Sequence, residues 1–162
     1  MELRNTFQSI IALHQREFPL DLQAREMQLP LDGGRIVTVT GIRRCGKSSL
    51  LGLTINRLLE SGVPKERILY VGFDDERFLS MTPENFDELL QAYREMYPMI
   101  PLQDVYMFFD EIQLVKVGNS LCSECIRTIA SISSSRVVLP RCSPRRWLPL
   151  CVDGLMNIVS IR

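Results

Sequence analysis

Eight consecutive residues, Gly41-Ile42-Arg43-Arg44-Cys45-Gly46-Lys47-Ser48, follow the pattern Gly-x-x-x-x-Gly-Lys-Ser. That pattern has the parts a triphosphate needs. A string of phosphates crowds negative oxygens together, and it is held by backbone N–H groups aimed inward, a helix N-terminus and a cation. Gly41 and Gly46 permit backbone geometry and close approach that larger residues deny. Lys47 is expected at the β- and γ-phosphates, and the Ser48 hydroxyl is expected to ligate Mg²⁺. Ser49 carries the phosphate-binding stretch into the following helix. Arg43 and Arg44 read either as solvated loop residues or as contacts to phosphate or a neighbouring subunit. Cys45 has no chemistry that requires it there and reads as filler.

A second chemical feature lies some sixty residues on. Val105-Tyr106-Met107-Phe108-Phe109 is apolar throughout, as a strand buried on both faces of a parallel sheet must be, and Asp110-Glu111 follows it. Asp110 is expected to hold Mg²⁺ through water. Glu111 is expected to orient or deprotonate an attacking water. Asp74-Asp75-Glu76-Arg77 reads as a solvated loop capping a short helix, or as outer contacts to the same site. His14, the single histidine, reads as a surface or packing residue.

The flanking segments supply the elements that position these groups. Arg35–Thr40 is short and β-branched, a strand leading into the phosphate loop. Lys47–Glu60 has helical spacing, with Leu51, Ile55, Leu58 and Leu59 on one face and Gly62 and Pro64 ending it. Arg67–Phe73 reads as a second strand. Thr82-Pro83 reads as the cap and first turn of a helix whose apolar face is Phe86, Leu89, Leu90, Tyr93, Met96 and Tyr97. Residues 1–18 read as a helix with Phe7, Ile10, Ile11 and Leu13 apolar, and residues 19–34 as a connector. Alternating strands and helices indicate an α/β domain, a P-loop NTPase three-layer sandwich around a parallel sheet.

The chain has 162 residues, 46% of them hydrophobic, which suffices for one domain with a real core. Lys+Arg and Asp+Glu both total 19, so no global field recruits nucleic acid or an anionic membrane. The absence of a spanning apolar run or a signal-peptide pattern, with five irregularly spaced cysteines, predicts a soluble cytoplasmic protein.

Several stretches together resemble a family of bacterial and archaeal AAA-type ATPases with a poorly characterised C-terminal domain. They are Leu29-Pro30-Leu31 leading into Ile36–Ser48, Ile68-Leu69-Tyr70 with Phe73-Asp74-Asp75-Glu76-Arg77, and Phe109-Asp110-Glu111-Ile112-Gln113. Arg-Arg ahead of Gly-Lys, and Gln two residues after the Asp-Glu pair, are the more specific marks. The resemblance covers about residues 17–115. It implies ATP rather than GTP, with Mg²⁺, Lys47 and Ser48 on the phosphates and metal, and Asp110 and Glu111 as the acidic pair. Self-association through such a domain is a further expectation; no residue names a protein or nucleic-acid partner.

Residues 117–162 differ in kind. They hold two acids, six arginines, eight serines and four of the five cysteines. Re-read in one shifted frame, Lys116–Ser120 is compatible with Gly-Trp-Glu-Gln, and two later stretches also yield segments expected of the family. We therefore expect a truncated, frameshifted domain after about residue 116, with an irregular tail and the fourth and fifth strands missing. The rival is a divergent tail, in its sharpest form a zinc site of Cys122, Cys125, Cys142 and Cys151. Three outcomes stay open for the whole chain: an ATPase, a nucleotide-binding module without useful turnover, or a fragment that folds too poorly for either.

Overall fold

A computed structural model describes residues 2–31, 36–41, 44–78, 81–82, 85–114, 136–142 and 156–161. Helix α1 spans Glu2–Glu17, strand β1 Ile36–Gly41, helix α2 Lys47–Glu60 and strand β2 Ile68–Gly72. Helix α3 spans Phe86–Met96, and β3, β4 and β5 span Tyr106–Asp110, Arg136–Cys142 and Met156–Ile161. The strands form one sheet in the order β2-β3-β4-β1-β5. Its first four strands are mutually parallel, and β5 runs antiparallel to β1.

In β2 and β3, period-two alternation sends side chains to two different cores. Leu69, Val71, Met107 and Phe109 join Phe7, Ile10 and Ile11 of α1 and Phe86, Leu89, Leu90 and Tyr93 of α3. Ile68, Phe108, Val37 and Val39 pack with Leu50, Leu51 and Ile55 of α2. Helices on both faces of a largely parallel sheet make the expected three-layer α/β architecture. Gln15, buried in α1, ties the first core to the sheet: its Nε2 donates to the Lys65 and Ile68 carbonyls at 3.1 Å each, and the Tyr97 hydroxyl donates to its Oε1 at 2.5 Å.

The end of α2 is built as the sequence suggests. Gly62 adopts φ 91°, and Val63 N–H donates to Leu58 while Gly62 N–H donates to Leu59. This is the paired-bond termination that a left-handed glycine permits. Two local expectations are corrected. Leu13 is 43% exposed, because the buried face of α1 runs through Phe7, Ile10 and Ile11. Helix α3 starts at Phe86 with Asn85 ahead of it, not at Thr82-Pro83. The Asn85 side chain accepts from the Thr82 N–H and hydroxyl, and Asn85 N–H donates to the Thr82 carbonyl.

The larger correction concerns the sheet. The positions beside β1, expected to lack their fourth and fifth strands, are taken by β4 and β5. Strand β4 lies between β1 and β3, pairing Ile36 with Val137 on one side and Tyr106 with Arg136 on the other. Val137-Val138-Leu139 is a β-branched and apolar run suited to that position. Pro140 is accommodated because the ladder to β3 stops at Phe108↔Val138, ahead of the residue that cannot donate, while the ladder to β1 runs on to Gly41↔Cys142. Both edges of β1 are thus paired. The rest of residues 117–162, including Cys122, Cys125 and Cys151, lies outside the described residues, as does the side chain of Cys142.

Candidate functional site

Because β1, β4 and β3 are parallel, their carboxyl ends share one edge of the sheet. Gly41 closes β1 there, and Asp110 closes β3 with one strand between them, about 10 Å across at ordinary strand spacing. The chain then turns from β1 into α2 through the phosphate-loop motif. Gly46 caps α2 at φ 88° and ψ 30°, a left-handed conformation that explains glycine at this position. Arg44 also takes a positive φ of 63°, which the pattern did not foretell. No acid stands in the first turn of α2 and no side chain caps it, so the positive end of the helix faces the site without an internal counter-charge.

Lys47 is the first residue of α2 and is buried, with Nζ donating to the Gly41 carbonyl at 3.4 Å. Its side chain therefore doubles back across the loop it would serve. Ser48 is exposed; Ser49, Cys45 and Gly46 are partly buried; Arg44 is exposed. Cys45 is a free thiol. Ile42 and Arg43 lie outside the described residues.

Asp110 is 3% exposed, and both carboxylate oxygens are engaged. Its Oδ1 accepts from the Glu111 N–H at 2.9 Å and its Oδ2 from the Tyr70 hydroxyl at 3.2 Å. A carboxylate offers about four lone-pair positions, so these two bonds orient Asp110 without exhausting it. Burial, and then the Asp110 charge, raises the Tyr70 hydroxyl well above the ordinary tyrosine range, so it remains a donor. Tyr70 itself is braced by the edge of His14, at 4.8 Å between ring centroids, and by Phe18 at 6.0 Å. Glu111 has φ 49°, a left-handed conformation unusual for a residue with a Cβ. It turns the chain out of β3 into a single helical turn, Ile112–Leu114.

The acidic stretch after β2 behaves as a capped loop. Asp75 accepts from the Arg77 backbone N–H and from its guanidinium, at 2.9 Å and 2.6 Å for the closest side-chain approach. Those hydrogen bonds hold its carboxyl at about 2, below the usual range.

Two residues near the site escaped the sequence reading. Tyr70 reaches Asp110 only because β2 pairs with β3, an inter-strand register that local spacing does not disclose. Arg25, in the connector, donates from Nη1 to the Cys45 carbonyl at 3.3 Å. No local pattern marks it.

A largely parallel sheet flanked by helices, with Gly-x-x-x-x-Gly-Lys-Ser turning from β1 into α2 and an Asp-Glu pair ending β3, defines the P-loop NTPase-like class. Comparison with known proteins narrows this. The family model described as AAA domain matches residues 33–139, roughly two-thirds of the chain, and the chain belongs to that family. The match continues past residue 116 into β4. An uncharacterized protein of Methanocaldococcus jannaschii is 30% identical over 91 residues, covering 56% of this chain and 18% of the relative. An uncharacterized protein of Haemophilus influenzae is 33% identical over 90 residues, covering 53% of this chain and 22% of the relative. The matches thus span about a fifth of these relatives' length. No solved structure matches the chain. Family membership supports a nucleotide-binding, ATPase-like role. Among the described residues no helix is long and apolar enough to cross a membrane.

Proposed function

We propose that this chain binds ATP with Mg²⁺ and forms the nucleotide-hydrolysing part of a cytoplasmic AAA-type ATPase. The observation that carries this reading is the shared sheet edge. The carboxyl end of β1, the N-terminus of α2 that follows it and the acidic pair ending β3 lie along one edge of the sheet. In this reading the N–H groups around Gly46 and the Lys47 ammonium take the phosphate oxygens. The Ser48 hydroxyl and the Asp110 carboxylate are hard oxygen donors of the type Mg²⁺ prefers, and they would hold the ion. Bound there, Mg²⁺ would supply charge neutralisation to the phosphates.

Glu111 orients water on the γ-phosphorus and accepts its proton as the new P–O bond forms. The bond from the γ-phosphorus to the bridging oxygen breaks, leaving ADP and inorganic phosphate. The choice of ATP over GTP rests on the family resemblance.

The test is calorimetric titration with ATP in the presence of Mg²⁺ or EDTA, coupled to phosphate release. We expect saturable, Mg²⁺-dependent binding and release above the uncatalysed rate. Binding without release identifies a nucleotide-binding module, and absence of both rejects the reading.

Tyr70 supplies a finer prediction. Tyr70→Phe removes one hydrogen bond to a charged acceptor, worth about 1.5–3 kcal/mol. With Asp110 less firmly oriented, the Mg²⁺ concentration giving half-maximal ATP binding should rise several-fold while Mg²⁺-free binding is unchanged. An unaltered Mg²⁺ titration would remove Tyr70 from the site.

A further inference from the structure

The connector between α1 and β1 is pinned along α2. The Leu20 N–H donates to Asn56 Oδ1 at 2.9 Å, and Asn56 Nδ2 donates back to the Leu20 carbonyl at 2.6 Å. Leu20 and Leu22 then cross α2 over Gly52, where a Cβ would stand 2.6 Å from Leu22 and 2.9 Å from Leu20. Glycine is required there because the two segments touch. Further along, Arg57 Nη2 donates to the Arg25 carbonyl at 3.2 Å. Asn56, Gly52 and Arg57 thus each hold this irregular segment against the helix.

At the phosphate-loop end of α2 the Arg25 guanidinium lies on the loop. Besides its bond to the Cys45 carbonyl, its terminal atoms stand 2.4–2.8 Å from where a Cβ on Gly46 would be. Any side chain at Gly46 would collide with it. A guanidinium has five N–H donors in a flat fork that matches a phosphate in two-point contact. Arg25 directs one of these at a backbone carbonyl, in a mixed setting beside the N–H groups that cradle phosphate. Its backbone is held in place, while the side chain is exposed and has length enough to pivot.

From this juxtaposition we propose that Arg25 is a phosphate-binding residue of the nucleotide site, delivered by the segment strapped over α2. The proposal rests on the phosphate-loop reading above and adds a second protein cation to it. On binding, the guanidinium exchanges the Cys45 carbonyl for phosphate oxygen and closes the solvent side of the loop. Asn56, Gly52 and Arg57 are positioning residues, acting only through the strap.

Binding by the full chain tests this, with ATP, inorganic tripolyphosphate and adenosine as probes, for the parent, Arg25→Gln, Arg25→Lys and Lys47→Ala. Arg25→Gln should weaken ATP and tripolyphosphate alike by about tenfold or more, the scale of one charge-assisted contact, without changing adenosine binding. Arg25→Lys should recover part of the loss, since an ammonium keeps the charge but not the fork. Thermal unfolding of each variant at parental temperature shows that the strap is intact. If Arg25→Gln unfolds early, Arg25→Lys carries the test through its smaller loss for the same two ligands. Lost ATP binding with unchanged tripolyphosphate binding would place Arg25 on the base and overturn the proposal. Parental affinity in Arg25→Gln, with binding abolished in Lys47→Ala, would overturn it while sparing the phosphate-loop reading. A parent chain that binds neither ATP nor tripolyphosphate would end both.

Discussion

Replacing Lys47 by Ala should abolish most of the ATP affinity and leave the fold standing. Lys47 is 4% exposed, and its ammonium donates to the Gly41 carbonyl at 3.4 Å. A charge so placed is largely taken from water, and the phosphate oxygens of a bound nucleotide would give it charge-assisted contacts. Truncating one member of a buried charge pair typically removes about 2–5 kcal/mol from binding, so affinity should fall on the order of a hundred-fold. The unliganded protein should lose less than the complex, because the desolvated charge is removed together with its bond to the Gly41 carbonyl. The two consequences together are diagnostic: calorimetry should show the affinity collapse, and chemical denaturation should show an undiminished midpoint. Equal ATP affinity in parent and variant would sink the assignment of Lys47.

The other large effect is expected at the acidic pair, where the two neighbours should fail differently. Glu111→Gln keeps the size and hydrogen-bonding capacity of the side chain but removes its basicity. ATP binding should persist, while phosphate release falls by about 10²–10⁴-fold, the range over which a positioned general base acts. Asp110→Ala instead strips the oxygen ligand proposed for Mg²⁺ and leaves the Glu111 N–H and the Tyr70 hydroxyl without the Asp110 acceptor. It should flatten the Mg²⁺ dependence of binding and destabilise the domain, since two partly buried donors lose an acceptor, at up to about 1–3 kcal/mol each. Parental turnover in Glu111→Gln would show that another group handles the water.

What the sequence disclosed and what it withheld divide along a physical line. The phosphate loop, the face of α2, the buried strand β3 and the termination at Gly62 are local: each follows from spacing or from a backbone angle that only certain residues tolerate. Their positions in the structure differ by a residue or so, as with β3, which ends on Asp110 instead of before it. The contacts of Tyr70 and Arg25 depend on how distant segments align, through strand register in one case and the path of an irregular strap in the other. The strands β4 and β5 were misread for a related reason. A proline such as Pro140 weighs against a central strand when taken singly, yet where the ladder stops decides whether a missing N–H matters. The shifted-frame reading of residues 117–162 is a statement about the gene, and sequencing codons 113–118 decides it.

The left-handed backbone at Glu111 sets a compromise between durability and work. A residue with a Cβ held at φ 49° costs on the order of 1 kcal/mol that glycine would not. On the role proposed for Glu111, a drift to glycine here would therefore make a sturdier protein that no longer turns ATP over. Selection for robustness alone would erode this position, and only a demand for turnover would defend the glutamate. In populations of this protein released from that demand, position 111 is where decay should register early, as a gain in melting temperature accompanied by silence in the assay.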